Sequence, residues 1–558
     1  MRSEDSRYKW VALSNTTLAV FMSTLDGSIV IISLPAIFRG IHLDPLAPGN
    51  VSYLLWMIIG YLLVQAVLVV TLGRLGDMYG RVRIYNAGFV VFTAASVLLS
   101  FDPFTGGYGA LWLIGWRLLQ ALGGSILTAN SAAILTDAFP ANQRGLALGI
   151  NQIAALAGQF IGLVAGGVLA IIDWRAVFWV NVPVGVFGTI WAYRNLRETG
   201  SHERGSIDWW GNGTFAVGLS AILIAITAAI RPYDGHTMGW TSPSTLGLLS
   251  FGTALLVAFV VIEQRVAEPM FALSLFRIRP FTAGVIAALA ASVARGGLQF
   301  MLVIWLQGIW LPLHGYDYEV TPLWAGIFML PLSAGFLVAG PISGILSDRL
   351  GSRAFATTGM LVFGSSFIGL MVLPVDFTYW MFAALLAING IGVGMFGAPN
   401  TSSIMGSVPP ARRGVASGMR ATFQNSGNLL SIGVFFSLMI AGLASRLPAT
   451  LTSGLQAQGV PYSVAHQVAT LPPVSSLFAA FLGVNPVQSL LAPTGVLASL
   501  PPANRAILTG KEFFPNLIAA PFHDGLVVVF SVALALSIVA AAASMMRGPE
   551  TRSLVLER

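Results

Sequence analysis

Asp26 is the one acid that falls well inside a long apolar run of this 558-residue chain, in the stretch Leu25-Asp26-Gly27-Ser28. Arg117 occupies the equivalent setting later on, in Trp116-Arg117-Leu118-Leu119-Gln120. If both runs are membrane helices, each residue lies about eight residues from the outer end of its helix, or about 12 Å below the surface. A charge in lipid seeks a partner, and these two are level. The carboxylate could take up and release a proton, or meet a cationic substrate, with the guanidinium tuning it. The alternative is a static bridge that fixes two helices. Gln120, Gly124 and Ser131 fall on the face of Arg117 by helical spacing, and Asn15, Ser23 and Ser33 roughly share that of Asp26.

Other polar residues interrupt apolar runs. Arg295 lies near mid-depth with Gln299 one turn on, and no acid shares its depth in the second half of the chain. It must meet backbone carbonyls, water, Asp26 across a cavity, or an anionic substrate. Arg420, Gln424 and Asn428 form an i, i+4, i+8 stripe, with Arg420 close enough to the cytoplasm to extend its side chain out of the lipid. Asn389 with Asn400, and Gln152 with Gln159, share helix faces as candidate cavity residues or as polar links between helices. Gly158, Gly162, Gly166 and Gly167 have the small-xxx-small spacing that lets helix backbones approach closely.

The chemistry that is missing narrows the reading. The chain has no cysteine, which excludes disulfides, thiolate metal sites and thiol catalysis. All six histidines fall in expected loops or at span edges, no metal-ligand spacing occurs, and no Gly-Lys-Ser/Thr phosphate loop is present. No ATPase or metal-hydrolase site is visible, and no cofactor is expected. Uphill transport would need an ion gradient, and a carboxylate with an arginine suits protons. A membrane enzyme or receptor would cluster acids or histidines at one face, which this chain does not do.

The elements that must position these residues follow from composition. Hydrophobic residues make up 56% and charged residues 9%, with a mean hydropathy of +0.79, against about 25% charged in soluble domains. So few charges cannot build a water-facing surface. A helix needs about 20 apolar residues to cross a bilayer, which predicts spans near 11–34, 52–72, 84–101, 109–136, 145–171, 177–194, 211–230, 244–263, 281–311, 323–346, 356–373, 378–404, 414–441 and 524–545. The first run is too long for a signal peptide and is read as an uncleaved span. The net charge of +7 reports topology and anionic lipid headgroups rather than nucleic acid. With the N-terminus inside, 20 of the 29 Lys and Arg residues fall in cytoplasmic segments, 6 outside and 3 within spans. Both termini are therefore expected in the cytoplasm.

An internal repeat supports two related halves. Gly73-Arg74-Leu75-Gly76-Asp77-Met78-Tyr79-Gly80-Arg81 follows the second span, and Gly344-Ile345-Leu346-Ser347-Asp348-Arg349-Leu350-Gly351-Ser352-Arg353 follows the tenth. Residues 1–200 then form one six-helix bundle, 201–280 an inserted helix pair with its linker, and 281–558 a second bundle. The second bundle carries a long outer loop at 442–523, rich in proline and poor in charge. Short helices on the outer membrane surface or the protein's outer face are expected there, with a role toward an outer-face partner open, and a further span at 474–484 is not, because the stretch is too short.

These residues resemble the major facilitator superfamily, in particular its fourteen-span drug:proton antiporters of the QacA/EmrB type. Leu25-Asp26-Gly27-Ser28-Ile29-Val30 through Leu34-Pro35 is similar to the acidic motif of the first helix. Gly73, Asp77, Gly80, Arg81 and Arg83 are similar to the family's cytoplasmic loop motif, and Asp348, Arg349 and Arg353 to its second-half copy. Arg117-Leu118-Leu119-Gln120 resembles the proton-coupling motif of the fourth helix, Gly158 to Gly167 the antiporter motif of the fifth, and Trp174-Arg175 through Asn181-Val182-Pro183-Val184-Gly185 a stretch typical of fourteen-span members. Leu163 stands where the family usually has proline, and Ala121 where it usually has glycine. The resemblance implies an all-α membrane protein with the major facilitator fold, located in a bacterial inner or plasma membrane. It implies alternating access, with proton binding at Asp26 exchanged against the release of hydrophobic or amphipathic small molecules and the loop motifs gating. Multidrug export is the leading expectation. Export of an endogenous lipid, pigment, siderophore or antibiotic is the second.

Overall fold

A computed structural model describes residues 3–47, 49–140, 143–198, 208–266, 269, 271–409 and 412–547. Fourteen helices among them are long and apolar enough to cross a membrane. Spans one to seven are Arg7–Gly40, Val51–Tyr79, Arg81–Ser100, Gly106–Ala138, Leu146–Ile172, Ala176–Asn195 and Trp209–Ala229. Spans eight to fourteen are Pro243–Glu263, Arg279–Leu313, Thr321–Ser347, Ser352–Val372, Tyr379–Ser407, Val415–Ala457 and Phe513–Met545. Helices are the physical solution because lipid offers the backbone no hydrogen-bond partner, so each segment must satisfy its own. The side of the first unit on which span one begins, at Arg7, is here called the terminal side. The opposite face, which carries residues 458–512, is the loop side.

The repeat seen in sequence recurs in geometry. Gly80 closes span two with φ 104° and ψ 122°, its N–H donating to Gly76 O at 2.9 Å. Gly351 does the same before span eleven with φ 97° and ψ 137°, its N–H donating to Ser347 O at 2.9 Å. A side chain at either φ would be strained, so glycine is what permits each sharp reversal between helices.

Several expected boundaries are corrected. The helix expected to end at 441 runs unbroken from Arg413 to Ala457, 45 residues, or about 67 Å at 1.5 Å per residue. That is roughly twice the hydrocarbon thickness, so it projects beyond the lipid. Span fourteen likewise begins at Phe513 rather than 524. Hydropathy alone missed both extensions, because helix continues into water wherever protein packs against it. The loop shrinks accordingly to 458–512. It does form short helices, among them Tyr462–Ala469, Pro473–Phe481, Pro486–Leu491 and Pro502–Thr509. The surface placement does not hold for Pro473–Phe481, in which all nine residues are buried.

The chain packs as two compact units. The first comprises Met1–Ile262, Gly297–Leu330 and Ile432–Val529, and the second Glu263–Gly296, Pro331–Ser431 and Phe530–Arg558. In the first unit, spans one and five pack closely. A Cβ on Gly158, Gly162 or Gly166 would collide with Phe21 O, Leu25 O or Ile29 O of span one. Span seven is tied to span two by Thr71 Oγ1, which donates to Asn212 Oδ1 at 2.5 Å. Arg231 beyond span seven donates to Ser52 Oγ at 2.7 Å.

On the loop side of this unit, spans one and five meet spans nine and ten. Gly167 lies against the backbone of Leu323, Gly326 lies against the carbonyl of Leu163, and Gln307 Nε2 donates to Ile32 O at 3.0 Å. The buried helix Pro473–Phe481 joins that contact. Phe478 meets Phe38 edge-on at 5.9 Å between ring centroids, and Phe481 meets Phe300 at 6.2 Å. Gly308 stands in a five-residue π-helical stretch of span nine, Leu306–Trp310, where a Cβ would come within 3.2 Å of the Ala480 backbone. Arg39 donates to Leu482 O at 3.4 Å and to Tyr318 O at 3.5 Å.

In the second unit, spans nine and thirteen pack through Gly296 on Asn428 and Gly427 on Ser292. Spans eleven and twelve pack through Gly359 and Gly392.

Candidate functional site

Asp26 is fully buried in the first unit and its two oxygens are divided among three donors. Arg117 Nη1 reaches Oδ2 at 2.5 Å, while Gln120 Nε2 and Asn181 Nδ2 reach Oδ1 at 2.9 and 2.7 Å. Arg117 Nη1 also donates to Gln120 Oε1 at 2.5 Å, and Gln120 Nε2 to Ser96 Oγ at 2.8 Å. The guanidinium lies over the Tyr61 ring, 4.1 Å from its centroid. Spans one, four and six therefore meet at the carboxylate, and spans two and three supply partners to Arg117 and Gln120. Burial of both ions is costly, and it is offset only because each has charged or polar partners at hydrogen-bonding distance.

The local sequence explains the convergence. Span six breaks at Val180, between the helices Ala176–Trp179 and Asn181–Asn195, so Asn181 stands at a helix start with its side chain free to reach span one. Gly162 packs on Leu25, one residue from Asp26, so span five holds the carboxylate's own backbone in place. Sequence spacing pointed to Asp26, Arg117 and Gln120. It did not assign roles to Asn181, Tyr61 or Ser96. Asn181 lies in the Asn-Val-Pro-Val-Gly stretch, and a polar residue preceding a helix break was the available signal.

The remaining candidates separate. Gln159 Nε2 donates to Gln299 Oε1 at 3.1 Å, whereas Gln152 is exposed and joins no such pair. Asn15 takes a hydrogen bond from Tyr85 OH at 2.9 Å, and Ser33 donates to Gly166 O at 2.9 Å, so both link helices away from the carboxylate. Asn389 donates to Ser366 Oγ at 2.8 Å, and Asn400 accepts from Arg547, so these two asparagines serve different helix contacts. Gln424 accepts from Arg420 at 2.8 Å, and Arg295 lies 5.3 Å from the Phe336 ring centroid. His523 corrects the expected histidine placement. It lies ten residues inside the helix Phe513–Met545, against Trp305.

On the terminal side of the first unit, Arg81 pairs with Asp77 at 2.7 Å and with Asp137 at 2.6 Å. Glu198 accepts from the N–H groups of Arg81 and Val82 at 2.7 and 3.1 Å, capping span three. Gly73 faces Ala129, and the Arg83 side chain is exposed, as is that of Arg353. The side chains of Asp348 and Arg349 lie outside the described residues.

Residues 16–432 match the family model of the Major Facilitator Superfamily. This chain belongs to the major facilitator superfamily. It is thus a multi-pass member of a family of membrane transporters. It is 30% identical to the riboflavin transporter RibZ of Clostridioides difficile over 78% of this chain and 90% of that protein. It is 27% identical to the tetracenomycin C resistance and export protein of Streptomyces glaucescens over 96% of this chain and 91% of that protein. Among solved structures, a bacterial homologue of the human lysosomal transporter Spinster, in an inward-facing and unoccupied conformation, covers 98% of this chain and 99% of its own, with a TM-score of 0.58 and 16% identity. That likeness is one of fold.

Proposed function

We propose that this chain is a proton-coupled antiporter that exports hydrophobic or amphipathic small molecules, with both termini in the cytoplasm. The single observation that carries the reading is the Asp26 carboxylate. It is sealed from solvent, and it is held by groups that could each keep their place while it gains a proton. Protonation removes its attraction to Arg117 and frees the guanidinium for Gln120 and the Tyr61 face. A single proton thus changes the forces between spans one, four and six. A buried ionisable group of this kind is the economical way to couple a pH gradient to helix movement. Tetracenomycin C resistance and export, the role named for one relative, supports an export direction.

Alternating access accounts for the rest. The loop side is taken as the outer face, closed here by spans one, five, nine and ten and by the buried helix Pro473–Phe481. Release of cargo outward requires those contacts to part. The Asp77–Arg81–Asp137 cluster on the terminal side is taken as the cytoplasmic gate. A second reading, transport of an endogenous metabolite, is favoured by the riboflavin transporter among the relatives.

The test is a resistance profile in an efflux-deficient bacterial host, paired with metabolite analysis of a deletion strain. Raised tolerance to toxic amphiphiles that collapses with a protonophore supports drug export. Unchanged tolerance to every compound, with a native metabolite retained inside the deletion strain, replaces it by the second reading.

A further inference from the structure

Charge within the spans is unevenly distributed. Asp26 is fully buried within span one, and both its oxygens are occupied by Arg117, Gln120 and Asn181. Three donors thus already hold it. Spans nine and thirteen have the opposite imbalance. Span nine from Arg279 to Leu313 and span thirteen from Val415 to Ala457 contain no acid at all, yet each carries a half-buried arginine, Arg295 and Arg420.

Neither guanidinium has a carboxylate partner among the described residues. Arg295 lies against the Phe336 ring and makes no hydrogen bond among the described residues. Arg420 donates one N–H to Gln424, while its Nε is buried without a partner. The two helices touch. Ser431 Oγ donates to Val293 O, and Gly296 lies on the Asn428 backbone. Arg295 is thus level with Asn428, and Arg420 is eight residues before it on span thirteen, about 12 Å away along the axis. Gln424 and Asn428 fill the interval. A guanidinium in a low-dielectric setting without a counter-charge is unfavourable, and an anion that accepts its N–H groups removes that cost.

We propose that Arg295 and Arg420, with Gln424 and Asn428 between them, form a subsite for an anionic group on the cargo: a carboxylate, sulfonate or ionised phenol borne by an amphipathic molecule whose apolar part lies against Phe336. This deepens the export reading and rests on it for calling the ligand a cargo. It makes the transporter selective for amphipathic anions over amphipathic cations.

Equilibrium binding to the full chain in nanodiscs of neutral lipid tests it, with 1-pyrenebutyrate and 1-pyrenebutylammonium as probes of matched shape and opposite charge, and empty nanodiscs as the control. The wild type should bind the carboxylate at least about tenfold more tightly than the ammonium. Arg295→Gln and Arg420→Gln should each weaken carboxylate binding about tenfold and leave ammonium binding unchanged. Arg295→Lys and Arg420→Lys should recover part of the loss, and they keep the test decisive if a glutamine variant does not fold. Wild-type preference for the ammonium, equal loss of both probes, or undiminished carboxylate binding in both glutamine variants overturns the proposal. Binding is read without a gradient. Failure of proton-driven export in vesicles alongside an intact carboxylate preference would therefore remove the export reading and leave the subsite standing.

Discussion

Asn181 donates from Nδ2 to Oδ1 of Asp26 at 2.7 Å, joining residues 155 positions apart in the chain. Gln120 reaches the same oxygen, so Arg117 is left with the other. The relationship makes span six a sensor of the charge on span one, although span six carries no ionisable group of its own near the site.

Replacing Asn181 by leucine removes one of the donors that favour the ionised carboxylate. The pH at which vesicle transport is half-maximal should rise, with the protein still folded and inserted. An unchanged pH profile would reduce Asn181 to a helix contact.

Gly162 tests whether close packing beside Asp26 is required. A Cβ there would lie 2.6 Å from Leu25 O, so Gly162→Leu must push span five from span one. Overpacking of this kind costs about 1–3 kcal/mol, and transport should fall at least about tenfold. Gly149 on the same helix has nothing within 4 Å of its Cβ position. Gly149→Ala should retain transport and gain about 0.5–1 kcal/mol. Thermal unfolding and vesicle uptake of both variants check the pair. Equal behaviour would show that the span one–span five interface does not matter.

Much of this arrangement was legible in the sequence, for a physical reason. Charged residues inside apolar runs are expensive, so Asp26 and Arg117 stand out, and their equal depth already implied that they meet. Glycines at small-xxx-small spacing likewise announced that span five packs closely on another helix, although they did not name span one. Neutral polar residues carry no such penalty once they find a partner. Tyr61, Ser96 and Asn181 therefore looked like any other residue of an apolar helix, while Gln152, which resembled Gln159 in spacing, turned out exposed. The loop was misjudged because its burial comes from tertiary contacts. Phe478 against Phe38 and Ala480 against Gly308 are meetings that no local pattern encodes.

The buried helix Pro473–Phe481 should move during transport. The chain has no native cysteine, so Phe38→Cys combined with Phe478→Cys introduces a unique pair where the two rings now meet at 5.9 Å. A short, cleavable bifunctional thiol reagent should stop vesicle transport in the double variant, and cleavage should restore it. Full transport while cross-linked would mean that this helix stays in place throughout the cycle.

The exposed pair Lys511–Asp317, at 2.7 Å, attaches the end of the loop to the segment before span ten. Lys511 holds the Asp317 carboxyl below its usual range, and Asp317 in turn raises the Lys511 ammonium. The carboxylate side of this contribution is complete above the ordinary Asp range and is lost as pH falls through the lowered value. The lysine side is complete below the ordinary Lys range and is lost as pH rises through the raised one. Between about pH 5 and pH 9 the attachment should thus be constant. Hydrogen exchange in residues 496–509 should show no pH-dependent opening in that window beyond the intrinsic exchange rate. It should show opening below the carboxylate range, and Lys511→Met should abolish that acid step.

Asp26→Asn offers the most direct measurement. It keeps the size and hydrogen-bonding shape of the side chain while removing the charge that faces Arg117 at 2.5 Å. In proteoliposomes under an imposed pH gradient, the variant should fail to accumulate any substrate that the wild type concentrates, while still binding it and equilibrating it downhill. Wild-type, gradient-driven accumulation by the asparagine variant would contradict the assignment of this carboxylate as the coupling group.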